Sequence, residues 1–248
     1  MDELDAVLES LAAGELSVEQ ARERLVGTGD VSRVGEFARV DASQAVRTGV
    51  PEVVDAERKS PTEVIGIGEE LLDATGRAIL TGVSEQARDR LESIADDADW
   101  YERSRILVLH AADYAQPVER GQVAIVSAGT SDIPVAQQAA VLAEEMGCTV
   151  ETRYDIGVSS IGRLYAELDT LRESDCVIVA AGREGALATV VAGLIDVPII
   201  GLPVGTGTGF AGEGEAALMG MLQSCTYLSV VNVDAGFAAG AQAALITE

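Results

Sequence analysis

The chain has 248 residues, 48% of them apolar and 4% aromatic, with 41 acidic against 17 basic side chains and a formal charge of −24. That length suits one large or two modest domains with a substantial core, and no apolar run reaches membrane-spanning length before Gly, Pro or Asp interrupts it. With no Lys/Arg stripe to displace counterions, the composition argues against a duplex nucleic-acid partner.

The acidity is uneven: 24 of the 41 acids fall within the first 103 residues, Lys59 is the sole lysine, and the other sixteen basic residues are arginine. An acidic surface almost stripped of lysine fits a salt-rich cytoplasm, where screening makes such charge density tolerable. The N-terminal MDELDAVLESL lacks the basic-then-apolar plan of a signal peptide, so a cytoplasmic location is expected. Cys148, Cys176 and Cys225 form neither a disulfide framework nor a paired metal motif.

Residues 2–26 read as two short helices. The second opens with a capping box at Ser17–Gln20, carries Ala21, Leu25 and Val26 as apolar positions, and is broken at Gly27–Asp30. Phe37–Asp41 is strand-like, and a polar segment follows through Val54. Ser60-Pro61-Thr62-Glu63 is a clear helix start, with Ser at N-cap, Pro at N1 and Glu at N3, and Gly76 stops that helix after Thr75. Ala78–Val83 and Ile106–His110 read as strands, Glu85–Ala95 as a helix, and Asp96–Arg103 as charged and irregular. Together these make a small α/β domain over residues 1–117, with the boundary in the polar, Pro-containing stretch Asp113–Gly121.

Residues 118–248 alternate with little ambiguity. Strand-like runs at Val123–Val126, Thr149–Arg153, Cys176–Ala180, Pro198–Leu202 and Leu228–Val233 are each followed by a helical segment: Ile133–Met146, Ser160–Glu173, Glu184–Ile195, Glu213–Ser224 and Phe237–Ile246. The β-branched runs lack strict alternation, as expected of strands covered on both faces. Five βα units imply an α/β fold with a doubly wound parallel sheet of the flavodoxin-like kind, and a ligand belongs at the carboxyl ends of its strands.

That rule selects the turns that matter. Ser127-Ala128-Gly129-Thr130-Ser131-Asp132 joins the first strand to a helix, so its N–H groups and its Ser and Thr hydroxyls suit an anion such as phosphate. Asp132 is equally an ordinary helix cap. Asp155 lies on the second turn and Gly182 on the third, where Glu184 stands at the start of a helix, placed there either by the helix dipole or for chemistry. The stretch from Pro203 to Gly212 contains Gly207 and Gly209 and allows close approach to a ligand or a mobile flap, but it is no dinucleotide fingerprint. Cys148 and Cys176 sit near strand starts as small apolar residues, whereas Cys225 ends a helix just before the fifth strand. His110, the one histidine, lies outside the βα repeat, which argues against a Cys–His or Ser–His pair.

SAGTSDIPVA (127–136), YDIGVSS (154–160), AGREGAL (181–187), GMLQSC (220–225) and VVNVDAGFAAG (230–240) together resemble the aminoimidazole ribonucleotide carboxylase fold family. The similarity is closer to its LarB branch, the carboxylase/hydrolases that begin synthesis of the nickel-pincer nucleotide cofactor. RTGVPEVVDAERKSP (47–61) extends the resemblance to about residues 40–248. The resemblance implies carboxylation of the pyridinium ring of nicotinic acid adenine dinucleotide at C5, with CO2 or bicarbonate as co-substrate. It further implies phosphoanhydride hydrolysis to AMP and pyridinium-3,5-biscarboxylic acid mononucleotide, with Mg2+ on the phosphates. Cys225 would add to C4 and Glu184 would move the proton at C5. The turn with Ser127, Gly129, Thr130, Ser131 and Asp132 would hold the phosphate, with Asp155, Gly182, Gly207, Gly209, Arg47 and Lys59 as further binding residues. A homo-oligomer, from dimer to octamer, is also implied, and the Ala/Gly-rich helix at 236–246 would suit close subunit packing.

The chain departs from the family pattern at Thr208 (commonly Tyr), Gly162 (usually His), Arg183 (usually apolar) and Ala188 (usually Pro). The purine-pathway carboxylase or mutase is one rival reading, but that branch uses a His at the position of Ala186, and the C-terminal half has none. A non-catalytic nucleotide sensor is another, and it leaves Cys225 and Glu184 without roles.

Overall fold

A computed structural model describes residues 3–18, 20, 21 and 31–247. It divides into two compact units, Met1–Ala115 and Gln116–Glu248. No described helix is long and apolar enough to cross a membrane.

The first unit begins with α1 (Glu3–Ala12). The capping box forms, since Ser17 N–H donates to Gln20 Oε1 at 2.9 Å and Gln20 N–H to Ser17 Oγ at 3.1 Å. The rest of the helix expected after it, with Leu25 and Val26, and the break at 27–30 lie outside the described residues. β1 (Val31–Val34) and β2 (Ala38–Asp41) form an antiparallel ribbon; Phe37 belongs to the turn, so the expected strand starts one residue late. The polar segment resolves into α2 (Gln44–Thr48), ended by Gly49 at φ 72°, and β3 (Val53–Asp55).

Helix α3 (Pro61–Thr75) has the ends its sequence dictates: a Ser60/Glu63 capping box and Gly76 in the left-handed conformation. Then come β4 (Arg77–Thr81), α4 (Glu85–Glu92), β5 (Asp97–Tyr101) and β6 (Ile106–His110). The four-stranded sheet runs β3-β4-β6-β5, with β3/β4 parallel and the other pairs antiparallel. The segment expected to be irregular is therefore the edge strand β5. Val64, Ile67 and Leu71 of α3 bury against Leu80, Leu107 and Leu109.

In the second unit, β7 (Gln122–Ser127), α5 (Ile133–Glu145), β8 (Thr149–Arg153), a 3-10 turn (Val158–Ser160), α6 (Ile161–Glu173) and β9 (Cys176–Ala181) lead the alternation. It continues through α7 (Ala186–Ala192), β10 (Ile199–Pro203), α8 (Glu215–Leu222), β11 (Ser229–Val230) and α9 (Gly236–Ile246). The strand order β8-β7-β9-β10-β11, parallel throughout, is flavodoxin-like. The order reverses between β7 and β9, which is where such sheets bind ligands. Leu164, Leu168 and Leu171 of α6, Leu187 and Val191 of α7 and Met221 of α8 cover one face.

Helix α9 packs on α5 within the same chain. A Cβ on Gly240 would lie 2.4 Å from the Ala139 carbonyl, so only glycine permits this approach. Gly236, Ala239, Gly240, Ala241, Ala243 and Ala244 are all buried there. The small residues expected to face another subunit are thus spent inside the fold.

Candidate functional site

The turn after β7 is built around Asp132, which is only 4% exposed. Its Oδ2 accepts the Gly129 N–H at 2.9 Å, and its Oδ1 accepts the Thr206 hydroxyl at 2.8 Å. Asp132 makes no side-chain cap to α5. The helix-cap expectation fails because the carboxylate turns back into the loop and across to the β10 turn. Ser127, fully buried, donates to the Gly129 carbonyl at 3.1 Å and accepts the Asp155 N–H at 3.2 Å. Ser127 and Gly129 N–H therefore shape the turn instead of meeting a ligand. Thr130 and Ser131 are exposed, and their N–H groups find no protein acceptor among the described residues. These two residues are the donors left for an anion at the head of α5.

The adjoining cavity has a volume of about 370 Å³. Its lining brings together Gly129, Ser131, Asp132, Gly182 and Glu184 from the expected set, with Arg183, Thr206 and Thr208. Gly157, Val158 and Ser159 close another side. Gly182 fits only as glycine, since a Cβ there would stand 2.9 Å from Thr206 Oγ1 and 3.2 Å from Asp132 Oδ1. Gly207 lies against the backbone of Arg183 without lining the cavity, and Gly209 does not line it either.

Glu184 is exposed and precedes Gly185, whose φ of 68° delays α7 to Ala186. The helix-dipole explanation therefore fails: Glu184 is outside the first turn, and α7 has no acid there. Asp155, at φ 60°, is committed by its carboxylate to a close ion pair with Arg163 and does not line the cavity.

Cys225 is exposed but is not part of the lining. It follows α8, beside Ser224, whose Oγ is 2.9 Å from the Thr189 hydroxyl of α7. One copy of the chain thus presents Cys225 outside the cavity that holds Glu184. Cys148 and Cys176 are buried, and burial raises both thiols, Cys176 to about 12, which keeps them protonated.

Arg47 and Lys59 belong to the first unit. Arg47 pairs with Asp41 at 2.7 Å, and that guanidinium, aided by Ser43, holds the Asp41 carboxyl below the usual carboxylate range. Lys59 Nζ donates to the Asp55 carbonyl. Among the described residues, no cluster of three or more His, Cys, Asp or Glu is arranged to hold a metal ion. The cavity lining carries two carboxylates, Glu184 and Asp132, and each oxygen of Asp132 already accepts a hydrogen bond.

Sequence comparison matches residues 122–248 to AIR carboxylase. The chain belongs to the AIR carboxylase family. Residues 31–111 match a LarB/PurE-like N-terminal domain, so both units of this family member have counterparts in known proteins. An uncharacterized protein of Methanocaldococcus jannaschii, MJ0165, is 34% identical over 248 residues, covering 95% of this chain and 93% of its own. An N5-carboxyaminoimidazole ribonucleotide mutase of Thermotoga maritima is 33% identical over 89 residues, 35% of this chain and 52% of that enzyme. The family supports an enzyme of the carboxylase/mutase type.

Proposed function

We propose that this family member carboxylates the pyridinium ring of nicotinic acid adenine dinucleotide at C5 and hydrolyses its phosphoanhydride. The products are AMP and pyridinium-3,5-biscarboxylic acid mononucleotide. One observation carries the choice over the purine-pathway reaction: the residue opening α7 at the cavity is Ala186, and no histidine lines it. Proton transfer there falls to Glu184.

A pyridinium ring is electron-poor and does not attack CO2. Addition of the Cys225 thiolate to C4 breaks aromaticity and makes C5 enamine-like, so that C5 forms a bond to the carbon of CO2. Glu184 accepts the C5 proton, and the electron pair of that bond expels the thiolate and restores the aromatic ring. Thr130, Ser131 and the head of α5 receive the phosphate. Magnesium on a dinucleotide takes most of its ligands from phosphate and water; the residues here do not themselves form a metal site, and no step depends on one.

Cys225 lies outside its own chain's cavity, so this mechanism requires a neighbouring copy to present it. Exposed Met219, Leu222 and Tyr227 near Cys225 support such an assembly. Incubation with nicotinic acid adenine dinucleotide, bicarbonate and Mg2+ in high KCl, followed by mass spectrometry, should yield AMP and the carboxylated mononucleotide. Cys225→Ala should abolish carboxylation, and mixing it with Glu184→Gln should restore part of it. Full activity of Cys225→Ala alone would sink the covalent mechanism. Conversion of a carboxyaminoimidazole ribonucleotide instead would favour the purine reading.

A further inference from the structure

Arg183 is the one cation lining the cavity. The other four arginines of the second unit are engaged: Arg120 with the Ala244 carbonyl, Arg153 with Glu151 and Glu167, Arg163 with Asp155, and Arg172 with Asp169. The Arg183 guanidinium has no such partner among the described residues, although the chain carries a net charge of −24. Its backbone is also unusual. At φ 47° it occupies the left-handed region, which costs an L-residue free energy. Gly207 packs directly against it: a Cβ on Gly207 would lie 2.9 Å from Arg183 N and 3.2 Å from its Cα. A positive-φ backbone, packed against Gly207, thus carries an exposed guanidinium with no protein partner among the described residues, next in sequence to Glu184.

We propose that Arg183 is a carboxylate clamp for the bound ligand. This rests on the reading above, in which Glu184 works at the ring. One phosphate has donors at Thr130 and Ser131, and Arg183 lies beside Glu184, which this reading places at the ring, so the anion assigned to Arg183 is one borne by the ring. A planar guanidinium pairs with a planar carboxylate through two parallel hydrogen bonds. That carboxylate has two possible sources, the acid present on the substrate ring or the one arriving from CO2.

Binding separates these sources without turnover. Arg183→Gly removes the side chain and relaxes the backbone, so it should melt at or above the wild-type temperature. If the clamp holds the substrate's own carboxylate, Arg183→Gly should bind nicotinic acid mononucleotide about ten- to a hundredfold more weakly. Affinity for nicotinamide mononucleotide, which lacks the acid, should stay level. If it holds the arriving carboxylate, the KM for bicarbonate should rise instead, with nucleotide affinity unchanged. Arg183→Lys should fall between in either case, since it keeps charge and loses the fork. The clamp is overturned if Arg183→Gly changes neither quantity. It is equally overturned if both mononucleotides weaken alike while nicotinic acid riboside, which has no phosphate, is unaffected. A wild type that binds the acid through Arg183 but forms no carboxylated product would end the catalytic reading and leave the clamp standing.

Discussion

Asp132 ties the β7 turn to the β10 turn, and removing it should release both. In Asp132→Ala two hydrogen bonds to a buried carboxylate are lost, one from Gly129 N–H at 2.9 Å and one from Thr206 Oγ1 at 2.8 Å. At about 1.5–3 kcal/mol for each bond to a charged group, the gross loss is about 3–6 kcal/mol. Water entering from the cavity can solvate the freed donors, which reduces the expected net loss to about 2–4 kcal/mol. Asp132→Asn should lose less than about 1.5 kcal/mol, because its amide oxygen accepts from Gly129 while its NH2 donates to a hydroxyl that can turn to accept. Trp100, in the first unit, does not report on this site. The assay is therefore hydrogen exchange across residues 127–133, together with urea unfolding followed by circular dichroism in high KCl. Protection of the Gly129 amide should vanish in the Ala variant and persist in the Asn variant. Undiminished protection in Asp132→Ala, with stability within about 0.5 kcal/mol of wild type, would refute the tie.

Gly182→Ala should drive a wedge into the same contact, because its Cβ would stand 2.9 Å from Thr206 Oγ1; faster exchange at 204–208 is expected, and wild-type exchange would count against it. Gly220→Ala places a Cβ 2.2 Å from the Glu184 carbonyl, so it should lower activity by displacing Glu184, measured as a fall in kcat. Arg47→Ala should weaken the first unit at neutral pH. The Asp41 carboxyl is held low by Arg47, so that contribution is present above the ordinary Asp range and is lost as pH falls through the lowered value. Wild-type and variant melting temperatures should therefore converge in acid, and a constant gap would exclude the pair as the cause. With a net charge of −24, the folded protein should lose structure on dilution from concentrated KCl; an unchanged melt at low salt would remove the salt-adaptation reading.

The second unit was readable because its signals are local and repeated. Five apolar runs, each followed by a helical pattern, determine a parallel sheet almost without long-range information. The first unit was harder to read where charge hid periodicity. DADWY at 97–101 alternates, with Asp97 and Asp99 outward and Ala98 and Trp100 packed on the core, and its acids mask that period in the sequence. Strand β11 shrank to Ser229–Val230, the part that pairs with β10 at the sheet edge. Propensity describes the run, whereas the number of available partners sets the strand length.

At the site, sequence located the turns but not what their atoms bind. Ser127, Gly129 and Asp132 have the composition of a phosphate cradle, and the same atoms suit a self-closing turn. Which one forms depends on Thr206, 74 residues away, because its hydroxyl takes the second oxygen of Asp132. No local rule contains that separation. Glu184 shows the converse, since one residue in the left-handed conformation, Gly185, moves it off the helix and frees its carboxylate from a capping role. Beside this Glu the chain holds Arg183, which lines the same cavity. A positive φ there combines with the close approach of Gly207, so an unusual backbone and the cavity's one cation fall at the same position. The turn that most resembles an anion site thus spends much of its polarity on itself, and Arg183, on the turn after β9, supplies the cavity's positive charge.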